Sequence, residues 1–230
     1  MNFSEWIRQL NAGKLIDMLV TAAAALLCIT VHEAAHALMA YGLGDPTAKE
    51  RGRLSLNPLR HIDPVGLICM IVCGFGWAKP VPVDSRRFRR PKLGMGLTAL
   101  AGPLSNVLLA VVMLLLNSVA QFIFVRSGYK IGWERVSDFL VTCGVLSAGL
   151  AVFNLFPIPP LDGSKVFFLF LPDRAYAGLM RYERYGMLAL VVLLFFNVLD
   201  APLSFLLNGF VRVLAQITAW PYWVLSGLLG

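Results

Sequence analysis

Charge is scarce in this sequence. Asp, Glu, Lys and Arg make up 14% of the chain and hydrophobic residues 58%. A soluble globular domain carries about 25% charged residues. One domain of 230 residues has too little interior to bury that apolar surplus, so a water-soluble fold is excluded. Histidine is scarcer still, with three residues, His32, His36 and His61. So few exclude a histidine-rich di-iron membrane enzyme. Cysteine is limited to Cys28, Cys69, Cys73 and Cys143, all in apolar stretches and without a paired zinc-ribbon spacing. They read as small buried hydrophobes, although Cys28 shares a helix face with His32 and His36. The sequence shows no cleavable signal peptide, no internal repeat and no low-complexity segment. Net charge is +7, but the basic residues cluster between apolar runs. That placement suits lipid headgroups and the positive-inside rule rather than nucleic acid.

The apolar runs predict an all-α polytopic membrane protein with about five spanning helices, over 15–43, 94–125, 137–156, 183–199 and 201–229. A helix over 15–43 is about 43 Å long at 1.5 Å per residue, enough to cross a bilayer. The whole chain, 1–230, reads as one membrane-embedded domain, with a core at about 15–170 and extra C-terminal helices at about 183–229. Residues 65–77 are apolar but short for a crossing and read as re-entrant. Trp77-Ala78-Lys79-Pro80-Val81-Pro82-Val83 cannot be helical and reads as extended. Arg51 to Leu56 alternates in the manner of a strand. Together they predict a small membrane-embedded β-hairpin and re-entrant region. Arg86, Arg87, Arg89, Arg90 and Lys92 form the densest basic run and suit headgroups.

Two of the three histidines fall in HEAAH (32–36). Residues four apart stack on one helix face, about 6 Å apart at Cβ. Two imidazoles so placed can bind one zinc ion. Glu33 is turned about 100° from His32 at 3.6 residues per turn, so it can reach a metal-bound water without being a ligand. Three ionisable groups in an apolar membrane helix cost on the order of 2.5–3.5 kcal/mol each. Such groups normally face a cavity or a partner.

A catalytic zinc needs a third protein ligand and an open position. Asp162 follows Pro157, Pro159 and Pro160 and precedes Gly163. Its local sequence suits equally a carboxylate at a broken helix end lining a cavity and an ordinary Asp-Gly turn at the interface. Pairing with HEAAH favours the ligand. Topology bears on this choice. If 65–83 dips in and returns, the C-terminal ends of the first and third helices reach the same face; if 65–77 crosses, they cannot share a metal. The same-face layout also groups 44–92 with 163–184, which hold fourteen of the twenty Lys and Arg residues. By the positive-inside rule that face is cytoplasmic.

HEAAH, AGPLSN (101–106) and NLFPIPPLDG (154–163) together resemble the three signatures of the site-2 protease family of intramembrane metalloproteases. GRLSLNP (52–58) and FGWAKPVPV (75–83) are similar to the membrane-embedded hairpin of its bacterial and archaeal members. The resemblance covers about residues 20–170. It implies one zinc ion, a three-helix catalytic core and cleavage of a membrane-anchored protein. It also implies that His32, His36 and Asp162 are ligands, that Glu33 is catalytic and that Asn154 contacts substrate or an oxyanion. Asn106 matches the asparagine of the middle motif and is expected to be structural, behind the ligands. The resemblance is to a compact form of the family, and no PDZ-like or CBS-like segment is expected.

Two further expectations concern substrate and water. His61 is a candidate for a group behind the metal or a proton shuttle. The far edge of 52–56, with Leu54 and Ser55, is expected to take an extended substrate as an added strand, while its near edge pairs with 77–83. The rival functions are a non-catalytic protein that binds a partner helix and a metal transporter. Transport suits ionisable groups strung along the membrane normal, whereas these converge near one depth.

Overall fold

The structure, a computed structural model, describes residues 12–64, 66, 78–127 and 133–228. Eight α-helices occur among them. They are α1 (Ala12–Gly42), α2 (Thr47–Glu50), α3 (Pro91–Ser127), α4 (Trp133–Asn154), α5 (Asp162–Phe168), α6 (Asp173–Phe195), α7 (Asp200–Thr218) and α8 (Trp220–Leu228). Single 3-10 turns cover Pro58–Arg60 and Ser85–Arg87.

α1, α3 and α4 pack pairwise on one another, and α5 lies against α3. Small residues permit this close approach. Ala24, Cys28 and Cys143 join α1 to α4, and Ala110 and Ala148 join α3 to α4 beneath Leu214 of α7. Cys28 and Cys143 are free thiols, with Sγ atoms 3.6 Å apart. Large apolar side chains such as Leu19, Leu108 and Phe205 point outward, where a soluble protein would place charge and a membrane protein meets lipid.

Four helical stretches among the described residues are long and apolar enough to cross a bilayer: Ala12–Gly42, Pro91–Phe124, Trp133–Asn154 and Asp200–Val224. The chain is a multi-pass integral membrane protein. The expected fifth span at 183–199 is not one. Its apolar part, Tyr185–Phe195, is 11 residues, or about 16 Å, roughly half of a 30 Å hydrocarbon core. The N-terminal half of α6 carries Arg174, Arg181, Glu183 and Arg184, and the helix stops just before Asn197, whose φ is 55°.

The expected β-hairpin is also absent: no strand occurs among the described residues. One antiparallel bridge, Ile62 with Ala78, is the β pairing seen, beside the Lys79 N–H that donates to the His61 carbonyl at 2.9 Å. Residues 52–56 fail as a strand because their polar groups are satisfied otherwise. Gly52 turns the chain at φ 65°. Arg53 buries its guanidinium and donates to the carbonyls of Lys79 at 2.6 Å and Pro80 at 3.1 Å. The Ser55 hydroxyl accepts the Asn57 N–H, and the Asn57 side chain caps the 3-10 turn through the Leu59 N–H. Such side-chain-to-backbone bonds compete with a ladder. The side chain of Arg53, rather than paired backbones, ties this region to 79–80. The expected re-entrant stretch 65–77 lies outside the described residues, apart from Gly66.

Helix ends place the chemistry. α1 stops at glycines, with Gly44 at φ 104°, a conformation that favours glycine. The chain then turns into buried Asp45, whose carboxylate accepts from the N–H of Thr47 at 3.0 Å and of Asp84 at 2.7 Å. α4 stops at Asn154, before three prolines that cannot continue a helix. Leu161 and Phe156 of that connection pack near Leu190 and Leu199, and the chain enters α5 at Asp162.

Candidate active site

His32 and His36 lie one turn apart near the C-terminal end of α1, both largely buried. Asp162 begins α5. Its Oδ2 lies 3.1 Å from Nε2 of His32 and 3.2 Å from Nε2 of His36. The two Nε2 atoms are 3.0 Å apart. These residues form the one group among the described residues whose His, Cys, Asp or Glu donor atoms could hold a metal, all within 4.8 Å of one another.

The donor set suits a cation. Nδ1 of His36 lies 2.7 Å from the Thr98 carbonyl, which can only accept. His36 therefore keeps its proton on Nδ1 and offers a lone pair at Nε2. Two imidazole nitrogens and a carboxylate are familiar zinc donors. Tetrahedral ligands at 2.0–2.1 Å stand about 3.3 Å apart, close to the separations here.

A cavity of about 320 Å³ opens on these residues. Glu33, Pro80, Val81, Met95, Asn154 and Lys165 also line it. Oε2 of Glu33 accepts the Val81 N–H at 3.0 Å. In the run Pro80-Val81-Pro82 that is the one backbone donor, and it is aimed at the carboxylate. Asp45 and Arg53 hold the run in place, through Asp84 at one end and through Lys79 and Pro80 at the other.

A further side chain is critical by its absence. A Cβ on Gly102 would lie 2.5 Å from Cε1 of His36 and 2.6 Å from Cε1 of His32. Gly102 belongs to AGPLSN, but nothing in the motif says that it faces the imidazoles. The Thr98 carbonyl was likewise invisible in the sequence, because every residue has one.

Asn154 lines the cavity and donates from Nδ2 to the Leu150 carbonyl at 3.0 Å. His61 is 1% exposed, with Nε2 2.8 Å from the Ser55 carbonyl. It lines a neighbouring apolar cavity of about 320 Å³ that shares His32, Glu33 and Asn154 with the first. Leu54 and Ser55 line neither cavity. The strand-addition role expected of them falls with the hairpin.

A model of peptidase family M50 matches residues 83–199, half of the chain. The chain belongs to peptidase family M50. The matched part of this M50 peptidase includes Asn106, Asn154 and Asp162, and the fold brings HEAAH to them from outside it. The M50 chain is 39% identical over 170 residues to a Bacillus subtilis protein named "Putative zinc metalloprotease YwhC", covering 73% of this chain and 76% of that one. It is 31% identical over 174 residues to "Putative zinc metalloprotease Rip2" of Mycolicibacterium smegmatis, covering 74% of this chain and 64% of the relative. The Rip2 of Mycobacterium tuberculosis strain H37Rv is 29% identical over 172 residues, which is 63% of its length. No solved structure matches.

Proposed function

We propose that this M50 peptidase is an intramembrane zinc metalloprotease that hydrolyses a peptide bond in or beside the membrane-spanning segment of a membrane-anchored protein. One zinc ion per chain is held by His32, His36 and Asp162. The observation that carries this reading is the convergence of three donor atoms within 4.8 Å in a cavity that Glu33 also lines. Zinc bound there supplies Lewis-acid polarisation of the scissile carbonyl and acidifies a water. Glu33 takes the proton of the attacking water and returns it to the leaving amine. The Val81 N–H occupies Oε2 and orients the carboxylate so that the other oxygen serves as the base. Asn154 uses one amide hydrogen on the Leu150 carbonyl; an amide carries two, and the second is available to a developing oxyanion.

Zinc stoichiometry tests the metal assignment. Purified wild-type chain should contain about one zinc by elemental analysis, as a three-ligand catalytic site requires. His36→Ala and Asp162→Ala should each lose at least about tenfold in zinc affinity through loss of one ligand, and lose cleavage with it. Full zinc occupancy in both variants would place the metal elsewhere.

The active site faces the cytoplasm in this reading, because the segments flanking it carry most of the Lys and Arg. Arg89 and Glu134 are both exposed and lie at opposite ends of α3 plus its return connection. With the native thiols replaced, Arg89→Cys in intact cells should resist an impermeant maleimide while Glu134→Cys reacts. Reaction of Arg89→Cys and protection of Glu134→Cys would invert the orientation.

A further inference from the structure

Three residues spaced four apart on α3 face the two imidazoles of α1. The Thr98 carbonyl meets Nδ1 of His36. Gly102 lies against both rings. The side-chain amide of Asn106 lies 3.2 Å from Nδ1 of His32. The pairing runs antiparallel: the earlier α3 residue serves the later histidine. Asn106 is fully buried, and its backbone carbonyl accepts from the Ser147 hydroxyl at 2.9 Å, which ties this point of α3 to α4.

The two ends of an amide are nearly alike in shape, so hydrogen bonding decides which is oxygen. With Nδ2 toward His32, Nδ1 must accept. The imidazole proton then sits on Nε2, between His36 and Asp162, where it obstructs a cation. Turning the amide over sets an acceptor against Nδ1–H of His32 and frees the Nε2 lone pair. It also makes His32 match His36, whose Nδ1 proton is held by a carbonyl.

We infer that Asn106 is a positioning residue whose carboxamide oxygen accepts from Nδ1–H of His32, locking that imidazole in the tautomer that presents Nε2 to the metal. The inference rests on the zinc reading proposed above and extends it to how one ligand is made ready. α3 holds both imidazoles from behind, His36 by a main-chain oxygen that no substitution can remove and His32 by a side chain that one can.

Zinc affinity of the full chain in detergent, measured by competition with a chromophoric chelator, tests this without reference to cleavage. Asn106→Leu keeps the size and removes the acceptor. It should weaken zinc binding about 10–100-fold, the usual loss when such a partner is removed. Asn106→Asp can only accept when ionised, so it should bind zinc at least as tightly as wild type. A merely structural asparagine predicts no such rescue by aspartate. Wild-type affinity in Asn106→Leu would overturn the assignment, and so would loss of zinc in Asn106→Asp. If Asn106→Leu does not fold, the aspartate variant decides alone by the same criterion. A wild-type chain that binds no zinc would overturn the underlying reading and this inference together; binding by wild type with an unaffected Asn106→Leu would overturn only the inference.

Discussion

Glu33→Gln should lower proteolysis by about 10²–10⁴-fold, the range for loss of a general acid–base group, while zinc content stays at the wild-type level. The substitution isolates proton transfer. Glutamine has nearly the shape of glutamate, and its carbonyl oxygen can still accept the Val81 N–H that Oε2 accepts now at 3.0 Å. The Pro-Val-Pro run therefore stays in place over the cavity. The three metal donors are His32, His36 and Asp162, so the metal keeps every ligand. What is lost is a group able to take a proton from water near neutral pH. Wild-type and variant chains would be reconstituted in liposomes with a membrane-anchored protein that the wild type cleaves, and zinc measured on the same preparations. A purified Glu33→Gln chain with full activity would exclude Glu33 as the base. Loss of zinc together with activity would show that Glu33 acts on the metal site rather than on the water.

The second large effect is expected at a residue with no side chain. Gly102→Ala should cut zinc affinity at least about tenfold and abolish cleavage, an outcome on the scale of removing a group that orients a ligand. The added methyl would lie 2.5 Å from Cε1 of His36 and 2.6 Å from Cε1 of His32. Both rings are buried and are tethered from behind at Thr98 and Asn106, so neither can retreat without giving up its partner. Helix propensity works in the opposite direction. Alanine is favoured over glycine in a helix interior by roughly 1 kcal/mol, and the helix itself should not weaken. Gly149→Ala is the control. It too lies in a spanning helix, but its Cβ would meet only Cδ2 of Leu207 at 3.9 Å, and it should retain zinc and activity. Equal zinc affinity in Gly102→Ala and Gly149→Ala would show that the imidazoles have more room than the structure gives them.

Much of the catalytic proposal was readable from residue type and spacing. HEAAH states its geometry locally, because a helix places residues 32 and 36 on one face whatever surrounds them. Asp162 needed one more step, the argument that a proline-broken helix end at membrane depth must be satisfied by protein or water. The predicted ends of the first three spans lie within a few residues of α1, α3 and α4, since long apolar runs leave little choice. The errors came where a short segment was read by its own pattern. The alternation at 51–56 suggested a strand, yet it spans too few residues to outweigh Arg53, whose guanidinium reaches the carbonyls of Lys79 and Pro80. The stretch 183–199 looked long enough to cross, but only Tyr185–Phe195 is an apolar helix.

By itself, then, the sequence determined a membrane protein and the chemistry of its candidate ligands, because hydropathy and helical spacing act over a few turns and need no distant partner. Tertiary structure decided which groups stand behind those ligands. The Thr98 carbonyl, the vacancy at Gly102 and the amide of Asn106 reach the imidazoles only because α3 packs antiparallel to α1 at that one register. A backbone oxygen and a missing side chain carry no label in a sequence, and their effect exists only once a second helix lies within hydrogen-bonding distance.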